Sequence, residues 1–140
     1  MLKPEISGNT ITVPSSLDYL AAVDDFVEGL LIDWGVEKPV VTDIAIAVSE
    51  LVNNAVSHGN LGESDRPVEV AVTRRGTTVS VRVTDSGGGF DMESLESPVE
   101  DDNLLRQVGR GIFIVRSLMD RVDVEHTGSG TAVTIHKQVS

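Results

Sequence analysis

A chain of 140 residues is one ordinary domain, long enough to bury a single sizeable core and short for two. Its 11 basic residues against 22 acidic ones leave a formal charge of -11, which repels phosphate backbones and anionic lipid, so direct nucleic-acid binding is not expected. With no cysteine for disulfides or thiolate metal sites, no signal-like start in MLKPEISGNT and no apolar run of bilayer length, the expectation is a soluble, cytoplasmic protein without membrane contact.

In chain order, TITV at 10–13 predicts a short strand, and PSS at 14–16 supplies a turn and a serine N-cap for a helix starting near Leu17. At 100° per residue Tyr19, Leu20, Val23, Phe26, Val27, Leu30, Leu31 and Trp34 share one arc, with Asp18, Asp25, Glu28 and Asp33 off it. Gly35 closes that helix. A second helix opens at Pro39 and runs to His58 and Gly59, with Val41, Ile44, Val48, Leu51, Val52 and Ala55 as its apolar stripe. Glu50 and Asn54 lie four residues apart on one flank beside that stripe, at the border between core and cavity.

The alternating runs VEVAVTRR (68–75) and TVSVRVTD (78–85) predict a hairpin around Gly76. From 86 to 108 periodicity is lost: three glycines, Pro98 and six carboxylates between Asp91 and Asp102 predict an irregular segment. A third helix is expected to begin near GRGIFIVRSLMD at 109–120, followed by a second hairpin, RVDVEHT and TAVTIHKQ, across a GSG turn. These elements predict one α+β domain over 1–140, a two-layer sandwich in which a mostly antiparallel mixed sheet carries helices on one face. His126 and His136 fall on strands without metal-ligand partners.

DSGGGF at 85–90 or GRGIF at 109–113 alone could be a turn, and Glu50 with Asn54 alone could be a solvated flank. Together and in order, SELVNNAVSHGN (49–60), DSGGGF, VGRGIFIV (108–115) and GSGTAVTI (128–135) resemble the N box, two glycine boxes and Gly-Thr turn of the Bergerat or GHKL ATPases. That superfamily includes gyrase, a heat-shock chaperone ATPase, histidine kinases and a mismatch-repair ATPase. The E-x-x-x-N-A-x-x-H-G form and SLMDRVDVE after the second glycine box look most like the bacterial anti-sigma factor serine/threonine kinases, which bind a sigma factor and phosphorylate a STAS-domain antagonist.

The resemblance implies ATP and Mg2+ as cofactors and, residue by residue, a site. Asp85 would accept from the exocyclic amine of adenine, where guanine presents a carbonyl. Gly87 and Gly89 would admit base and sugar to the backbone, and Thr131 would support the adenine contact through water. Gly109 and Gly111, expected at the start of the third helix, would offer N–H groups and a positive dipole end to the triphosphate. The amide of Asn54 would hold the magnesium, and Glu50 would be the general base. Residues of about 90–108 would form an ATP lid, with Arg106 or Arg110 reaching the terminal phosphate; the spacing does not choose between them. His58 matches the family pattern, although closing the helix end is the simpler role.

The sequence thus predicts a kinase that sequesters a sigma factor and phosphorylates its STAS-domain partner, possible homodimer included. The alternative is a nucleotide-gated protein-binding switch without phosphotransfer, which has no need of a carboxylate at position 50. A detached histidine kinase domain would need a helical hairpin with a phospho-accepting histidine, for which these residues have no segment, and the absence of Gly-Lys-Ser or Gly-Lys-Thr excludes a P-loop ATPase.

Overall fold

Valine at every second position builds the sheet. In a computed structural model that describes residues 3–59, 66–86, 103–127 and 130–139, with side chains over 3–57, 66–86, 111–126 and 130–139, Pro67–Arg75 (β3) and Thr78–Asp85 (β4) pair as an antiparallel hairpin. Val68, Val70, Val72, Val79, Val81 and Val83 all point to one buried face, each burial contributing about 1.5–3 kcal/mol. Gly76 holds the turn with φ +57°, a region that favours glycine.

The described strands are completed by Glu5–Ser7 (β1), Thr10–Pro14 (β2), Arg121–Thr127 (β5) and Gly130–Gln138 (β6). Their order across the six-stranded sheet is β1-β2-β3-β4-β6-β5, and every pairing is antiparallel, so the sheet is not mixed. Strand β1 was not expected: its three residues are all exposed, so no burial pattern marks them.

Ser16 caps a 3-10 turn, Leu17–Tyr19, by accepting from the Asp18 N–H at 3.2 Å, and this turn leads into Leu20–Asp33 (α1). Val23, Val27 and Leu31 are its buried stripe; Phe26, Leu30 and Trp34 pack partly buried beside them. Gly35, at φ +77°, follows the helix end as expected. Helix α2, Lys38–Asn54, carries Pro39 in its first turn and continues as a π-helical turn over Ala55–Gly59. Lys38–Ser57 is the one stretch among the described residues long and apolar enough to cross a bilayer. Its stripe, from Val41 through Val52, is spent in the core between sheet and neighbouring helices.

The third helix, α3, spans Asn103–Leu118 and starts six residues earlier than expected. Leu104, Leu105, Arg106 and Gln107 are all good helix formers, so nothing in that segment stops the helix from extending past Gly109 toward its N-terminus. Residues 103–108, expected to be irregular, are helical instead; residues 87–102, which include Gly87, Gly89 and most of the expected lid, lie outside the described residues. Ile112 and Val115 of α3, with Met119 just beyond its end, are buried in the same core.

Candidate functional site

Four polar side chains are buried among the described residues, and three of them meet at one place. Ser15, the exception, donates to the Arg66 carbonyl. Asn54, Asp85 and Thr131, each no more than 6% exposed, line a single cavity whose walls are the apolar side chains of Leu51, Val83, Ile112 and Val133. The enclosed space among them is about 10 Å³, on the order of one water. Its lining, apolar on the walls and polar at a few points, has the chemistry of a site for a flat heterocycle with hydrogen-bonding edges, which would enter only as the surrounding side chains part.

Sheet register explains half of it. Asp85 ends β4 and is the direct cross-strand partner of Thr131 on β6, so both side chains stand on the helix-covered face at one end of the sheet. Gly130 makes the pair possible. A Cβ at Gly130 would lie 1.9 Å from the Asp85 carbonyl oxygen and 2.9 Å from the Ser86 Cα, and its φ of +155° is uncommon for any other residue. Sequence reading placed Gly130 in a turn and missed this role; the available signal was a glycine at a strand end, a frequent mark of close backbone approach.

Helix α2 supplies the other half. Its i, i+4 spacing sets Glu50 and Asn54 one above the other, facing α3 at Gly111. A Cβ on Gly111 would come within 2.8 Å of Glu50 Oε2 and 3.6 Å of Asn54 Nδ2, so a side chain at position 111 would push the Glu50 carboxylate aside. Asn53, off that flank, accepts from the Ser57 hydroxyl at 3.3 Å. The amide Nδ2 of Asn54 is buried with no hydrogen-bond partner among the described residues. A buried, unsatisfied amide costs about 1–3 kcal/mol, which a ligand would recover. Half a turn about its last bond exchanges amide oxygen and nitrogen, so the group can ligate a cation or donate to a phosphate oxygen.

The helix start changes the expected phosphate cradle. Because α3 begins at Asn103, the N–H groups of residues 109 and 111 lie in its interior, where the helical ladder takes them, rather than at a free N-terminus. Arg106, Gly109 and Arg110 are placed on the α3 backbone only; their side chains and that of His58 lie outside the described ones. No group of three His, Cys, Asp or Glu residues among the described residues could hold a metal, so a divalent cation here would draw on the Asn54 amide, phosphate oxygens and water.

The two expected strand histidines have polar partners. His136 meets the Ser80 hydroxyl at 2.7 Å and Asp123 at 3.0 Å, across three strands of the opposite, polar sheet face. Arg121, bonded to Asp123 at 3.0 Å, and then His136 hold that carboxyl below the usual range. His126 Nδ1 lies 3.3 Å from Thr131 Oγ1, on the side of Thr131 away from Asp85.

Residues 13–137 match the family described as histidine kinase-like ATPase domain. A protein named serine-protein kinase RsbW from Staphylococcus aureus (strain JH9) is 30% identical over 138 residues, covering 91% of this chain and 84% of that protein. One of the same name from Listeria monocytogenes serotype 4a is 28% identical over 137 residues, covering 94% and 87% respectively. Among solved structures, the RsbU and RsbW domains of Rv1364c from Mycobacterium tuberculosis superpose with a TM-score of 0.69 at 22% identity, over 93% of this chain and 32% of that longer one, a likeness of fold.

Proposed function

The chain belongs to the histidine kinase-like ATPase domain family, and from that premise we propose that it is an ATP-dependent protein serine/threonine kinase of the anti-sigma factor type. The observation that carries the reading is the convergence of Asn54, Asp85 and Thr131, all buried, on one apolar-walled cavity, with Glu50 one helical turn from Asn54 and beside Gly111. The names of the relatives, serine-protein kinases similar over most of their length, support the reaction class.

In this reading adenine enters edge-first, its amine donating to the Asp85 carboxylate, while Thr131 serves the neighbouring ring nitrogen directly or through one water. A guanine would present a carbonyl to a carboxylate, leaving two acceptors opposed, so ATP is the preferred nucleotide. The Asn54 amide would hold Mg2+, which when bound neutralises charge on the phosphates. Glu50 takes the proton from the attacking serine or threonine hydroxyl; its oxygen bonds to the terminal phosphorus as the bond to the ADP oxygen breaks. Glycines 87, 89, 109 and 111 would admit base and phosphates close to the backbone, and Arg106 or Arg110 would meet the terminal phosphate. For the amides near 109–111 to serve, the first turns of α3 must open when nucleotide arrives.

The protein acceptor in this reading is a STAS-domain antagonist, and the sequestered partner is a sigma factor, which places the protein in the cytoplasm. Incubation with labelled ATP, magnesium and a STAS-domain partner should transfer label to that partner. Glu50→Gln should bind ATP within about twofold of wild type and lose on the order of a hundredfold or more of phosphotransfer. Undiminished transfer by that variant would remove the general-base role, and ATP binding without transfer by wild type would leave a nucleotide-gated switch.

A further inference from the structure

Thr131 has one proton to donate, and two neighbours compete to decide its direction. On one side Thr131 lines the cavity it shares with Asp85. On the other, Oγ1 lies 3.3 Å from Nδ1 of His126, its direct cross-strand partner on β5. Thr131 is 3% exposed, so a hydrogen bond its neighbours leave unmade is costly there. If Nδ1 is bare, it accepts the hydroxyl proton, and Thr131 can then only accept from the cavity. If Nδ1 carries hydrogen, it donates to Oγ1, and the hydroxyl proton is released toward the cavity.

We propose that His126 is a positioning residue for base recognition: by donating from Nδ1 to Thr131 it directs the threonine hydroxyl into the cavity as a donor, selecting purines with a bare ring nitrogen beside the exocyclic amine. This rests on the nucleotide reading of the same cavity and extends it to a residue that never touches the ligand. Adenine has that pattern, amine to Asp85 and bare nitrogen to Thr131, whereas guanine carries hydrogen on the corresponding nitrogen. The arrangement also exposes the selector to solvent, because His126 is exposed while Thr131 is not.

An imidazole with hydrogen on both nitrogens can only donate and so holds the donating state. Among the described residues, the charged groups on the strands beside His126 include Asp85, beyond Thr131, and Glu125, on the opposite sheet face where it meets Arg82 at 3.4 Å; α3, which carries Arg116, packs against β5.

The test is calorimetric binding of ATP and of 1-deaza-ATP, which lacks the ring acceptor, to the full chain with magnesium at about pH 6 and about pH 8. Wild type, His126→Ala and His126→Gln are compared at each pH, so that titration of the phosphates cancels in the ratios. His126→Ala should weaken ATP about threefold to tenfold at the lower pH, the size of one hydrogen bond, and leave 1-deaza-ATP unchanged. His126→Gln, whose amide can donate from the same place, should restore ATP binding within about twofold. Equal ATP affinity in all three proteins at both pH values would overturn the inference while leaving the nucleotide site standing. So would an equal loss of both nucleotides in His126→Ala, which marks a merely structural role. Wild type that binds neither nucleotide would overturn the nucleotide reading itself.

Discussion

At Gly130 the missing side chain is the functional feature. The Asp85 carbonyl occupies the space a Cβ would need, 1.9 Å from its ideal position, and both atoms belong to backbone that cannot swing aside. Gly130→Ala should therefore cost about 2 kcal/mol or more, from overpacking added to backbone strain, seen as a lowered urea midpoint. ATP binding should weaken with it, because Asp85 moves. Gly76→Ala is the informative comparison: φ is +57°, but nothing lies within 4 Å, so only the smaller backbone cost of roughly 1 kcal/mol applies. Equal loss in the two variants would contradict the close approach. Little of this was readable from residue types. Asp85 and Thr131 stood out through their motifs, but the contact of Gly130 with Asp85 and of His126 with Thr131 depends on strand register, which one sequence leaves open.

Helices α2 and α3 meet through Gly111, and there stability and function pull apart. Alanine in a helix interior is more favourable than glycine by about 1 kcal/mol, and the nearest atom to the new Cβ is the end of the flexible Glu50 side chain. Gly111→Ala should leave the melting temperature unchanged or raise it slightly, yet displace the carboxylate and lower phosphotransfer by at least about tenfold. Full activity in a folded Gly111→Ala protein would show that Glu50 does not act from this position. At this scale the sequence was uneven in what it disclosed. Helix α2 was legible because its apolar stripe and its Glu50-Asn54 flank follow one period, whereas the start of α3 was not, since the helix formers before Gly109 follow an acidic, proline-containing run that suggests irregular chain. Strand β1 escaped because three exposed residues form no pattern.

Over the whole molecule, the antiparallel sheet divides its labour by face. One face meets three helices and ends in Asp85 and Thr131; the other is polar, with Ser80, Arg82, Asp123, Glu125 and His136 joined across strands. Alternating valines made this two-layer architecture readable before any coordinates, and the ordered motifs carried the family. A chain of formal charge -11 offers a triphosphate no long-range attraction, so recognition has to come from short-range groups and a bound cation. Function here depends on where the nucleotide sits. A crystal structure with magnesium and a non-hydrolysable ATP analogue tests it most directly. It should place the adenine amine about 2.7–3.2 Å from the Asp85 carboxylate, with the phosphates reaching toward Asn54 and Glu50. Nucleotide bound elsewhere, or an Asp85 carboxylate with no contact to the base, would contradict it.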